Sequence, residues 1–568
     1  MDKNRELLNA FIALALSVLI MFFWHFIFPQ SNVHQFDDVN NSSLNSTDFS
    51  VEQEYLESRD DALLQSSTRT SLLNDTIEGS LSLKGAILDD LSLKNYKVNT
   101  NISSPMVSLL SPQSLRDSRF VEFGWIAKDQ IKSIFLPSKD TIWSLDPTSN
   151  NTNKTFYWDN PMGVRFSLIF SIDNQYMVSI VQKVLNNTNE EINLSSYALI
   201  GTHGDNPTTN GPKTNEGVLV ALDKKVLRYD YKKLVKHGNV KFDKPASANH
   251  NWVAFSDKYW LTALITPLSS STIDIQAAKD RNNFFKSQIS FVTPLVAIKP
   301  GEVSSVSSSL FLGAKELSVL DYYASQKKIV LFDRALDFGM LYFITRPLLL
   351  LLQFLQKLTH NFGVSILILT VLVKSVMFPL TIKTYISGQK MRILQPKIRE
   401  LQDRHSGDKM QLNLAMMRLF KEQKTNPLSG CLPLFIQIPV FFALYKVLIV
   451  SISMRHAPFF YWIKDLSVPD PINIFILFKY LNINFFNKLS IGILPILLTV
   501  TMILQQKFTN GVKATNIDPS QEKVIKMMPY LFLFVFASFP AGLLIYWIWS
   551  NMLSILQHFL MLKLHKVK

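Results

Sequence analysis

The sequence predicts a helical polytopic membrane protein with six transmembrane helices, five of them forming a C-terminal core, plus a large all-β domain outside the membrane. Three observations carry this prediction. Apolar residues make up 47% of the 568 positions and charged residues only 18%, and the apolar ones gather in blocks. One block lies near the N-terminus and the rest crowd beyond residue 360. Between them, residues 79–316 alternate in short apolar and polar runs broken by Asn, Asp and Gly, the texture of strands and turns.

In order, residues 1–6 are polar with Lys3 and Arg5, and 7–28 are apolar up to Pro29. A cleaved signal would have a shorter core and small residues before the cut. Trp24, His25 and Phe26 are bulky, so 1–29 reads as an uncleaved anchor with its N-terminus in the cytoplasm. Residues 30–78, rich in Asn, Ser, Asp and Gln, read as a disordered tether. The Asn-x-Ser/Thr matches there, such as Asn41 and Asn45, arise by chance in such a tract.

Within 79–316, strands are expected at 164–168, 177–185, 192–200, 252–266 and 291–298, which together suggest a large sandwich. His203 and His237 are isolated, and no HExxH, GxSxG, P-loop or dinucleotide fingerprint occurs. An open sheet face has room for sugar or peptide, but an interaction or spacer domain is the simpler reading. The single cysteine, Cys431, rules out an intrachain disulfide and any cysteine-rich metal site. No metal or cofactor site is expected.

Residues 317–360 contain an apolar run, Leu348 to Leu352, closely bracketed by Arg346, Pro347, Gln353, Gln356 and Lys357. An amphipathic helix lying in the interface fits better than a span. If the segment crossed, the most basic loop would face outward, against the positive-inside rule.

The span at 361–383 carries Lys374, roughly 13 Å from its flank at Lys383 and so near mid-membrane. A lysine there costs roughly 2.5–3.5 kcal/mol on insertion scales, which makes it a functional-site candidate. The simpler alternative, snorkelling towards lipid headgroups, needs more reach than this depth allows. Residues 384–429 form a basic helical hairpin, roughly 25–30 Å per arm. It is either a solvated positive-inside loop or a docking surface for RNA, anionic lipid or a receptor. The net charge of +14 is consistent with such a loop. Further spans are expected at 431–452, 491–506, 524–540 and 542–562. Between them lie an outer loop at 453–490 and an inner one at 507–523, and a basic tail follows at 563–568. The fifth span is short enough to thin the bilayer. Both termini then face the cytoplasm.

The motifs MFPLT (377–381), KMRILQPKI (390–398), NPLSGCLPLFIQIPVFFALY (426–445) and FPAGLLIYWIWSN (539–551) closely resemble those of the YidC membrane protein insertases. The resemblance is to the Gram-negative type of the YidC/Oxa/Alb family, which has a large periplasmic domain. It covers nearly the whole chain and is weakest in the tether and at 475–489. It implies a multi-pass protein of the cell inner membrane whose β domain is a periplasmic supersandwich similar to sugar mutarotases. It also implies a five-helix insertase core around a water-filled groove that bears one cation.

That cation falls on Lys374, where the family usually has arginine. Arginine offers a planar fork and lysine a point charge. By the same resemblance, Thr370, Gln437, Tyr546, Trp547 and Ser550 line the groove, with Trp547 standing where tyrosine is common. Substrate leaves past Pro439 and Phe441. The resemblance also makes Tyr385, Lys390, Arg392, Lys397, Arg399 and Asp518 the expected contacts for ribosomes or a targeting receptor. The implied partners are nascent membrane proteins, the Sec translocon with its accessory subunits, the ribosome, the targeting receptor and membrane lipids. No enzyme chemistry, cofactor or small-molecule substrate is implied. Two other classes make different predictions. A transporter or channel predicts an acidic partner for the lysine or inverted repeats, and no predicted span carries an Asp or Glu in its apolar run. A glycan-acting enzyme predicts clustered carboxylates and histidine in a cleft of the β domain.

Overall fold

The computed structural model describes residues 56, 58–65, 68–127, 135–204, 217–223, 225–244, 248–268, 270–279, 284–405, 407–423, 432–472, 491–509 and 519–564. They form two compact units that divide between Asp337 and Phe338. The expected anchor, Asn41, Asn45, Cys431, the apolar part of the outer loop at 473–490 and Asp518 lie outside the described residues.

The first unit is built from two large antiparallel sheets. The ten-stranded sheet runs Arg69–Leu73, Ile77–Ser82, Leu88–Lys97, Ser118–Ala127, Ile192–Gly204, Phe285–Val292, Ser271–Lys279 and Asn239–Lys244, with Met106–Leu110 and Val296–Ile298 joining it at the side. The nine-stranded sheet runs Lys225–Tyr229, Gly217–Leu222, Trp252–Ser256, Trp260–Ile265, Val303–Ala314, Met177–Asn186, Val164–Ile172, Asn153–Asp159 and Ser144–Leu145. Alternation explains the packing. In Val164–Ile172, residues 164, 166, 168, 170 and 172 are buried while those between are not. Phe123 and Phe170, one from each sheet, meet edge-on at 5.7 Å, so the core lies between the sheets. The run at 252–266 is a hairpin that turns at Asp257–Tyr259.

The expected tether boundary at residue 78 is too late. Helix α1 (Arg59–Gln65) and the strands Arg69–Leu73 and Ile77–Ser82 lie before or across it. The polar composition there is turn chemistry. The Asn74 carboxamide oxygen accepts from the Thr76 and Ile77 backbone N–H groups at 2.8 and 2.7 Å. Its amide donates to the Asp173 and Gln175 carbonyls at 2.6 and 2.9 Å, tying this hairpin to the other sheet. Short helix α2 (Tyr231–His237) and helix α3 (Leu317–Gln326) complete the unit.

The second unit is helical. Helix α4 (Tyr342–Thr359) buries Thr345, Leu349, Leu352 and Leu355 on one face and exposes Phe343, Leu350, Phe354 and Leu358 on the other. Both faces are therefore largely apolar, as an element between protein and hydrocarbon requires. His360, in the left-handed region at φ 54°, ends α4. Asn361 starts helix α5 (Phe362–Arg404) by accepting the Val364 N–H at 3.1 Å. At 43 residues, α5 is roughly 65 Å long. The span and the first hairpin arm, read above as separate at residue 383, are one continuous helix. The second arm is helix α6 (Lys409–Glu422), whose Asp408 caps the N–H groups of Met410 and Gln411. Its 14 residues reach about 21 Å, shorter than expected. Helices α7 (Leu432–Val450), α8 (Ile493–Thr509), α9 (Pro519–Phe536) and α10 (Ala541–Leu564) follow. Among the described residues, α5 over Phe362–Ser387 and α10 over Ala541–Lys563 are long and apolar enough to cross a membrane. Among the described side chains, α7, α8 and α9 carry apolar runs over Gln437–Val450, Ile493–Phe508 and Lys526–Phe536.

Residues 451–472 gather the helix ends. Phe459 lies against the backbone of Gly363 at the start of α5, leaving no room for a Cβ. The Val468 and Leu466 carbonyls accept from Ala541 and Gly542 at the start of α10, at 2.8 and 3.0 Å. Buried Asp470 accepts from the Leu494 N–H at the start of α8 at 2.8 Å, and from the Ile472 N–H and the Trp462 indole at 3.1 and 3.2 Å. The starts of α5, α8 and α10 and the end of α7 therefore meet in one compact cap, the arrangement that alternating crossings would produce.

Candidate functional site

Helix α10 is the hub of the helical unit, and each neighbour meets it through a different chemistry. Against α5, the Lys374 ammonium donates to the Ser554 hydroxyl at 2.9 Å. The Ser554 hydroxyl in turn donates to the Ser550 carbonyl at 2.9 Å. The Gln557 amide lies 3.4 Å from the Lys374 carbonyl. Against α7, the Gln437 amide donates to the Tyr546 hydroxyl at 3.2 Å. Against α8, the Asn551 amide donates to the Thr501 hydroxyl at 3.2 Å. Against α9, Trp547 packs on Phe536 and Phe532 at 4.6 and 6.1 Å between ring centres, and it also meets Phe441 of α7 at 4.8 Å.

The pattern has a simple origin. Tyr546, Ser550, Ser554 and Gln557 recur at helical spacing, so they form one polar stripe along the helix. Each polar group in a hydrocarbon setting needs a partner. Lys374 lies twelve residues into α5, roughly 18 Å from its start, and finds its partner on that stripe. It is only partly buried, whereas Thr370, Tyr546 and Ser550 are nearly inaccessible. Pro379, one turn on, has no N–H to give the Ser375 carbonyl.

The residues expected to form one groove thus divide into two levels. Lys374, Ser554 and Gln557 form the level nearer the hairpin. Gln437 with Tyr546 and the Trp547 aromatic cluster form another, two turns up α10, roughly 12 Å away. Half-buried Pro439 and Phe441 stand on α7 beside the second level. Thr370 spends its hydroxyl on the Ile366 carbonyl of its own helix at 2.6 Å, and so contributes shape more than a donor. Tyr385 does not stand free on the hairpin. Its ring packs edge-on against His558 of α10 at 5.5 Å and its hydroxyl receives the Gln389 amide at 2.9 Å. Lys390, Lys397 and Arg399 are exposed along α5. The Arg392 side chain and Asp518 lie outside the described residues.

Ser554 and Gln557 were missed from sequence, although the four-residue recurrence from Tyr546 was there to read. The pairing of that stripe with Lys374 was not, because it joins positions 180 apart. Among the described residues no group of three or more His, Cys, Asp or Glu is placed to hold a metal.

Comparison with known proteins bears on the family of the chain. The model of the 60Kd inner membrane protein family matches residues 354–568, and that of the YidC periplasmic domain matches 69–351. The membrane protein insertase YidC of Rickettsia bellii is 39% identical over 99% of this chain and 100% of its own length. That of Rickettsia felis is 38% identical over 98% and 99%. A solved active YidC insertase with its first transmembrane domain resolved covers 89% of this chain and 94% of its own, at 17% identity and a TM-score of 0.33. On full-length identity to these relatives, the chain belongs to the YidC family of membrane protein insertases, non-enzymatic proteins of the inner membrane.

Proposed function

We propose that this chain inserts membrane proteins by giving their polar external segments a hydrated, half-crossed resting place beside Lys374. The observation that carries the reading is the lysine's environment. A cation partway along a spanning helix is held by a neutral hydroxyl, Ser554, and the apolar run of no predicted span contains a carboxylate to neutralise it. An unneutralised charge at that depth is tolerated where water reaches it. Water also leaves the ammonium available to an acidic substrate segment.

The mechanism is physical, not covalent. The charge attracts acidic residues of the incoming segment, and the substrate's own apolar stretch then passes Pro439 and Phe441 into lipid, where its burial drives the step. The span expected at 524–540, roughly 25 Å long as a helix, is short for a hydrocarbon core and supports a locally thinned bilayer that shortens the path. The cap at 451–472 supports closure of the groove at that end, which would be periplasmic. The topology proposed with it has six spans, both termini cytoplasmic and the β domain periplasmic. The exposed lysines and arginines of α5 fit contacts with the ribosome or a targeting receptor, and the Sec translocon with its accessory subunits is the proposed partner for larger substrates. The test is to deplete the protein while following insertion of small single-span and two-span substrates. Unchanged insertion would sink the proposal.

A further inference from the structure

We propose that the recess at one end of the β domain, where Arg119 and Asp257 pair across the two sheets, binds a neutral saccharide. Arg119 begins the strand Ser118–Ala127 of the larger sheet, and Asp257 sits in the hairpin turn of the smaller one. They meet at 2.8 Å, with side chains 17% and 31% accessible, so the pair faces a solvent-filled hollow rather than the core. That hollow has a volume of about 340 Å³, within the range of small-ligand sites, roughly 300–1,000 Å³.

The lining selects the ligand. Arg119 donates through both terminal nitrogens to the two oxygens of Asp257, at 2.8 and 3.3 Å, and lies 3.4 Å from the Thr262 hydroxyl. Each carboxylate oxygen keeps further acceptor capacity. Ser108, Ser111 and Thr202 add hydroxyls, and His203 is fixed by its Nδ1 contact to the Arg116 carbonyl at 2.9 Å. Trp260 supplies an aromatic wall.

Groups that both donate and accept, beside an aromatic ring, match a sugar, whose hydroxyls do the same and whose C–H face is apolar. Formal charge argues against the other classes. Asp117 and Asp257 face Arg119 in the lining, and Lys315 acts on Asp257 as a second positive charge, so the charges balance and favour neither a phosphate or acidic peptide nor a cation. An ion pair in a cleft is also a weak source of stability compared with apolar packing, so a binding role gives it a reason to be there. The site is independent of the groove in the helical unit.

The test uses the full chain in lipid nanodiscs, avoiding sugar detergents, and saturation-transfer NMR. The probes are glucose, N-acetylglucosamine, maltose and trehalose, with glucose 6-phosphate and choline as charged comparisons. Exposed Ser108 is replaced in Ser108→Trp to fill the recess, and Asp257→Asn removes the carboxylate. The expected result is transfer to the ring protons of at least one neutral sugar, falling at least about fivefold in Ser108→Trp while thermal unfolding is unchanged. No transfer from any neutral sugar, equal transfer in the filled variant, or preference for glucose 6-phosphate or choline would overturn the proposal.

Discussion

Reversing the charge at position 374 is the sharpest probe of the groove. Lys374→Glu replaces an ammonium held 2.9 Å from the Ser554 hydroxyl with a carboxylate that can still accept from that hydroxyl, so local packing is little disturbed. For a substrate carboxylate about 5 Å from the ammonium, the attraction is about 3 kcal/mol at an effective dielectric of about 20, and about 0.8 kcal/mol if the groove is fully aqueous. At 1.4 kcal/mol per tenfold, losing the lysine alone slows insertion of an acidic substrate between about 4-fold and about 200-fold. The glutamate should do worse still, because attraction becomes repulsion. Lys374→Arg keeps the charge and should be tolerated. The assay is insertion into proteoliposomes of two substrates that differ only in whether their external segment carries Asp and Glu or Asn and Gln. The position of the effect within the calculated range then reports the groove's polarity. Equal slowing of both substrates, or none, refutes the electrostatic role.

Other expectations follow from individual contacts. Asp470→Ala strands the Trp462 indole and the Leu494 N–H and should cost about 3 kcal/mol, read as a lower thermal midpoint and as new labelling of an engineered cysteine in the 451–472 cap. Asn74→Ala removes five hydrogen bonds, three within its turn and two to the opposite sheet. It should destabilise the β domain by about 2–3 kcal/mol in urea unfolding, and a change below about 0.5 kcal/mol would show the turn to be incidental. Burial alone would raise the Asp257 carboxyl, but the Arg119 guanidinium and the Lys315 ammonium together outweigh it and hold the group below the usual carboxylate range. A depressed folded value means the stabilisation is present above the unfolded value, near 3.8, and is lost as pH falls through the folded one. Urea stability of the β domain should therefore fall below about pH 4 less steeply in Asp257→Asn than in the natural chain. Asp89 and Glu122, both raised by burial, act in the opposite sense, so the comparison between the two chains isolates Asp257.

What was legible in the sequence was whatever depends on local spacing. Alternation in 164–168 and 177–185 marked strands, because side chains in a strand alternate by geometry, and the structure extends them to Ile172 and Asn186. The apolar run around Lys374 marked a costly cation without any knowledge of its surroundings, and the polar recurrence on α10 was equally available. Composition misled where polar residues do structural work. Asn74 lies in a tract that reads as a tether, yet it is the turn that joins the two sheets. The break assumed at residue 383 failed for a related reason. Charge density changes there, but nothing in the backbone chemistry of Lys383 or its neighbours ends a helix, so α5 continues to Arg404.

Tertiary structure alone decided the partners. Lys374 meets Ser554, Gln437 meets Tyr546, Asp470 caps a helix 24 residues away, and Arg119 closes on Asp257 across 138 residues. Periodicity tells which face of an element is polar. It carries no information about what stands opposite, because that depends on how distant segments pack. The sequence by itself thus determined that this chain carries a membrane core, a β domain and one deep cation. Only the packed helices determined that the cation is held by a hydroxyl on α10.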